Sequence, residues 1–168
     1  MAKSFAQPDN INQLSPVGYR FAIENLPNVN WFITNVNVPG IQLGEVVQPT
    51  PFMQTQVPGN DLIYEPINVE FIIDEDLQAW KEIYNWMNGL GFPDEYGQYA
   101  AQKAANHLYS DATLTILNSN MNPNHRFLFK DLFPTSISEI LFDSGSTDLG
   151  TIKAVVSFRY LTYKYEKV

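Results

Sequence analysis

The chain has 168 residues, 45% of them hydrophobic, no cysteine and a formal net charge of −8. That length and apolar content suit one domain with an ordinary core, and the missing cysteines exclude both a disulfide framework and a thiol nucleophile. Lysine and arginine are scattered singly, with no basic run, which excludes a groove that grips nucleic acid by clustered positive charge.

No stretch reaches the about 18 consecutive apolar residues of a membrane span. The N-terminal residues lack the apolar centre of a signal peptide. They read as an extended arm over 1–15, followed by one β domain over 16–168. Residues 17–24 (VGYRFAIE) alternate as a strand, Leu26-Pro27-Asn28 reads as a turn, and 31–38 (WFITNVNV) reads as the returning strand, closed by Pro39-Gly40. Residues 43–57 are extended but carry Pro49 and Pro51. Proline cannot donate to a ladder, so an edge strand or a protruding excursion is expected, with a turn at 58–61.

The chain is organised around residues 67–93. Val69, Phe71 and Ile73 alternate as a strand. Asp74, Glu75 and Asp76 then place carboxylates at the head of a helix predicted over 76–88, where they can accept from unpaired N–H groups. Leu77, Trp80, Tyr84 and Met87 recur at helical spacing and are expected to pack on a sheet, with Ile83, Trp86 and Leu90 widening the face. Gly89 or Gly91 supplies a C-terminal cap and Pro93 a stop.

Residues 99–109 carry helix formers and read either as a short second helix or as an excursion. Strands are predicted over 111–118, 125–132 and 136–143, with turns at 119–124 and 144–149 and Phe133-Pro134 between the second and third strands. The longest strand is predicted over 152–165, with Ile152, Ala154, Val156, Phe158 and Tyr160 on one side. About eight short-spaced strands with one helix predict a mainly β fold, an antiparallel β-sandwich or barrel with one flanking α-helix.

Residues that carry chemistry are sparse. The 74–76 acids lack the loop and turn glycine of a calcium site and read as a helix cap. His107 and His125 sit in no ligand spacing. Ser15, Ser110 and Ser144 lack the G-x-S-x-G context of a nucleophile. Gly89/Gly91 and Gly145/Gly150 do not open a helix after a strand, as a phosphate cradle requires. The expectation is no enzyme, with no catalytic, cofactor or metal residue to name. What remains is a surface with strand edges, an arm and a proline-rich excursion, all of which suit a neighbouring subunit.

The segment order resembles the phage tail tube family of contractile-tailed bacteriophages, which includes the tube protein of the T-even phages. The resemblance lies in SPVGYRFAIENLP leading into WFITNVNVPGI, then TPFMQTQVPGNDLIYEPINVEFIIDEDLQAWKEIYNWM, then FKDLFPTSISEILFD and a final long strand. It implies a tail-tube-like fold whose subunits form homo-hexameric rings. These stack into a hollow conduit through which DNA passes without specific binding. Sheath, baseplate and tape-measure proteins are the implied partners, and the implied location is the virion tail, assembled in the host cytoplasm. The same fold recurs in baseplate tube initiators, in tail terminators and in the ring protein of type VI secretion, so the position along the tail stays open. A carbohydrate-binding β-sandwich module is the competing reading. For a DNA conduit the wall is expected to be acidic, with Asn68 and Glu70 as candidates to face it.

Overall fold

The computed structural model describes residues 11–91, 96–104, 107–145 and 150–168. The arm expected over 1–15 lies mostly outside the described residues; residues 11–14 are exposed.

Two sheets enclose the core, and they share a corner made by one bent strand. The first sheet orders β1 (Tyr19–Ile23), β6 (Ser110–Leu117), β7 (Pro123–Ile137) and β9 (Thr162–Lys167). The second runs from β7 through β8 (Lys153–Arg159) and β5 (Ile67–Ile72) to β2 (Ile33–Val36), all antiparallel. Along β7 the register continues without slip from His125↔Lys167 to Pro134↔Phe158, so β9 and β8 run along the same strand in turn. The pair changes sheet where Asp131 takes a positive φ of 54°, with Leu161 still donating to the Lys130 carbonyl at 3.0 Å. Strands that cross from one sheet to the other by a bend are a usual way to turn such a corner.

Two sequence expectations change here. The strands predicted over 125–132 and 136–143 are one strand through Phe133-Pro134, ending at Ile137. The strand predicted over 152–165 is interrupted at Tyr160-Leu161. Of its expected inward face, Ile152 lies before β8 and is exposed, while Ala154, Val156, Phe158 and Tyr160 are buried. Ile67, Val69 and Phe71 meet them from β5, Phe21 and Ile23 from β1, and Ala112 and Leu114 from β6.

Among the described residues three helices flank the sheets. The predicted turn at Pro27 is α1 (Pro27–Phe32), which proline favours by fitting the first helical turn. The amide of Asn30 ties it to β1, accepting from the Ile23 N–H and donating to the Ile23 carbonyl, both at 2.8 Å. The strand read over 31–38 therefore shrinks to β2. The short second helix is α3 (Tyr96–Ala104). It crosses α2 (Gln78–Gly91) at Gly89, where an added Cβ would lie 2.2 Å from Gln102 Cγ.

α2 begins later than predicted and turns only part of the expected face to the sheets. Asp74 caps it through both carboxylate oxygens, accepting from the Gln78 N–H at 2.9 Å and the Ala79 N–H at 3.2 Å. Leu77, at φ 54°, lies before the helix and is exposed. Ala79, Ile83 and Trp86 are buried, Trp86 against Phe158 with ring centroids 6.3 Å apart. Trp80 and Tyr84 stack on each other at 5.0 Å on the outer side, and Tyr84 is exposed. Of the expected face, Ile83 and Trp86 are buried and Met87 and Leu90 pack at the margin of the core, while Leu77 and Tyr84 are exposed.

Candidate assembly surfaces

The proline-rich excursion is a two-stranded sheet of its own, β3 (Ile41–Pro49) and β4 (Gln54–Tyr64), paired to no other strand. The turn predicted at Pro58-Gly59-Asn60-Asp61 is instead a bulge within β4. Register shifts between Leu43↔Leu62 and Glu45↔Pro58, so that Gly44 faces the extra residues. Gly59 is required there: a Cβ on it would stand 2.8 Å from the Gly44 carbonyl oxygen. The reversal falls at residues 50–53, where Thr50 and Met53 bond to each other by backbone and hydroxyl. At the base, the Glu65 N–H donates to the Gly40 carbonyl and Gln42 Nε2 to Glu65 Oε1.

This ribbon carries large apolar residues among its polar ones and buries almost none of them. Leu43, Val46, Val47, Leu62 and Ile63 are exposed, and Phe52 at the tip is 98% exposed. An isolated two-stranded ribbon is marginal in water, and a contiguous apolar patch of this kind marks an interaction surface.

A second surface lies where the strand path β1-β6-β7-β8-β5-β2 meets its own ends. β1 and β2 do not pair. The Tyr19 hydroxyl spans them, donating to the Thr34 carbonyl at 2.6 Å. Burial, with the nearby charge of Glu70 second, pushes the Tyr19 phenol above its ordinary pKa. Between the strands is a groove of about 740 Å³ lined by Val17, Tyr19, Phe21, Trp31 and Ile33, with Arg20 as its charged lining residue. Trp31 is 86% exposed; its place in a predicted strand hid it, since α1 turns it outward.

The residues weighed for chemistry stay apart. Asp74 is the cap of α2. Burial of its carboxyl works upward on the pKa, and the backbone N–H bonds outweigh it and hold the group below the ordinary carboxylate value. Glu75 and Asp76 are exposed. His125 bonds the Tyr165 hydroxyl at 2.7 Å, and His107 lines a separate cleft with Lys103 and Asp111. Ser110 accepts from the Asn25 N–H. Among the described residues no group of three His, Asp or Glu side chains is placed to hold a metal ion.

The family model described as phage tail tube protein matches residues 4–166. The chain belongs to that family. Its role is thus structural, in the tube of a phage tail. It is 27% identical over 165 residues to the tail tube terminator protein of Enterobacteria phage T4, covering 93% of this chain and 90% of that protein. The anti-feeding prophage tube-terminating cap shares the fold at TM-score 0.67 and 12% identity, with both chains covered completely. The sheath/tube terminator structure of the extracellular contractile injection system PVC gives TM-score 0.59 at 14% identity over 97% of this chain and 99% of the other. The PVC sheath–tube complex gives 0.60 at 13% identity, over 89% and 88%. The mainly β, tail-tube-like fold expected from the sequence is the fold observed.

Proposed function

We propose that this tail tube family member is the terminating subunit of a contractile tail's tube. Its copies close a homo-hexameric ring at the tube end and leave an axial passage for DNA. The observation that carries this is the near end-to-end relation to the phage T4 tail tube terminator. The complete mutual coverage with a tube-terminating cap agrees with it. A terminator meets the tube through one ring face only, and the β3–β4 ribbon is the surface offered to that neighbour. Sheath protein is a further partner, since the structural neighbours include sheath–tube assemblies. The arm, residues 1–15, reaches an adjoining subunit, and the β domain over 16–168 assembles as one unit. Assembly takes place in the host cytoplasm. The outer face of β5 and β8, with Asn68 bonded to Ser157 and Glu70 paired to Lys153 at 2.7 Å, is polar and wet and suits the passage wall.

The second reading, the main tube subunit, is supported by the structural match to the PVC sheath–tube complex. Growth of tubes separates the two. Added in small amounts to polymerising tube protein from the parent phage, a terminator gives shorter tubes, each ending in one extra ring by electron microscopy. Long tubes formed by this chain alone would establish the main tube subunit in its place.

A further inference from the structure

The loop between β7 and β8 holds a feature that the ribbon and the strand edges do not explain. Residues 139–143 read Glu-Ile-Leu-Phe-Asp. The segment is anchored at its start, where the Ser138 N–H donates to the Val155 carbonyl at 2.8 Å and the Ser138 hydroxyl accepts from the Val155 N–H at 3.0 Å. Beyond that anchor, Leu141 is 75% and Phe142 79% exposed, and no strand or helix holds them. Two adjacent large apolar side chains in water, with a carboxylate on either side, have the form of a plug without a socket.

Within the same chain the complementary surface is the β1/β2 groove. It has an exposed tryptophan beside Val17 and Ile33 in a mixed wall that also holds Asn30, Thr34 and Asn35, and its charged lining residue, Arg20, is a cation in a chain of net charge −8. The strand path places the two features correctly for a ring. β7 and β8 are the middle members of β1-β6-β7-β8-β5-β2, and the groove lies where the two ends of that path face each other. Plug and groove are therefore on opposite sides of the strand circuit. A contact between unlike, oppositely placed patches is heterologous, and it closes into a ring when the rotation permits. The rival occupant, the tip of the β3–β4 ribbon, is apolar but carries no charge between Val46 and Asn60 to meet Arg20.

We propose that residues 139–143 of one copy seat in the β1/β2 groove of the next, with Leu141 and Phe142 against Trp31 and Val17 and an acid, Glu139 or Asp143, on Arg20. This rests on the ring reading given above and adds to it which parts of neighbouring copies touch. Opposite charges at such a contact fix register and reject wrong partners more than they add affinity.

The chain has no native cysteine, so cross-linking tests the contact directly. Light scattering on the unmodified protein first establishes the ring. The double variant Trp31→Cys/Phe142→Cys, oxidised, is expected to give a ladder of covalent multimers on a denaturing gel, which neither single variant gives beyond a dimer. The variant Arg20→Glu should shift the ring toward monomer, and Arg20→Glu combined with Glu139→Arg and Asp143→Arg should recover it. A ring that gives no ladder, or gives one from Trp31→Cys/Phe52→Cys instead, overturns the proposal and leaves the ring intact. An unmodified protein that is monomeric at every concentration, and within purified tails makes no ring, removes the ring reading and this contact with it.

Discussion

Strands β5 and β4 are neighbours in the chain and both carry large apolar residues, yet those residues meet opposite fates. Ile67, Val69 and Phe71 of β5 are fully buried, while Val57, Leu62 and Ile63 of β4 are exposed. The difference is a second layer. β5 has β8 beside it and the other sheet and α2 across the core, whereas the β3–β4 ribbon has only itself. Apolar residues in a strand are thus a demand for cover, and they do not say whether the same chain or another supplies it. In the ribbon that demand is left for assembly.

The sharpest way to break the comparison is to remove the ribbon's tip. Replacing residues 48–55 by Asn-Gly leaves Val47 and Gln56 paired across a two-residue turn. The monomer should melt as before, while capping of tubes is lost; loss of folding would place the ribbon within the core after all. Next is a pair of identical substitutions. Phe158→Ala should cost about 3–5 kcal/mol in urea unfolding, as a fully buried ring does, whereas Phe52→Ala should leave the monomer within about 0.5 kcal/mol and weaken assembly. A third pair tests the face of α2: Trp86→Ala should cost about 3–5 kcal/mol and Trp80→Ala about 1 kcal/mol, the scale of one stacked aromatic pair. Equal losses would restore the face that sequence spacing suggests.

The smallest effect is a pH dependence confined to the barrel. Burial first, then neighbouring Tyr163 and Tyr64, push the Tyr160 phenol up to about 12, and its hydroxyl donates to the Glu65 carbonyl at 2.9 Å. A raised folded-state pKa favours the protonated form in the native state. The stabilisation is therefore complete below pH 10 and is lost as pH rises from 10 to about 12. Tyr160→Phe should flatten that part of the stability curve, and an unchanged slope would assign it to other groups.

Much of the fold was legible because period-two patterning survives where two sheets face each other. Val69 and Phe71 on β5 and Ala154, Val156 and Phe158 on β8 are legible as inward for that reason, while Ile152, just outside its strand, is exposed. The reading failed where one residue decides geometry. Pro27 begins a helix where a turn was expected, because proline serves either use. Pro58-Gly59 forms a bulge because the opposite strand supplies Gly44, a partner no local window contains. Pro134 sits inside β7, where its missing donor is tolerated beside a bulge. On α2, spacing alone does not rank the aromatics: Trp86 is buried beside Ala79 and Ile83, while half-buried Trp80 stacks on exposed Tyr84. The assembly surfaces were half visible. Prolines mark the ribbon, but Trp31 and residues 140–142 fall in alternating stretches that predict strands, and the pattern there hides their exposure.

The corner strand also sets an order of events during synthesis. β6 and β7 are joined by a short turn and can pair as soon as both have left the ribosome. β5, made much earlier, has to wait for β8, and β7 lacks half of its partners until β9 follows. Residues 153–167 complete both sheets at once, so until residue 167 has emerged the chain carries half-built sheets with open strand edges beside an uncovered apolar ribbon. For a protein whose finished surfaces are made to pair with copies of itself, that interval is when premature association is most dangerous.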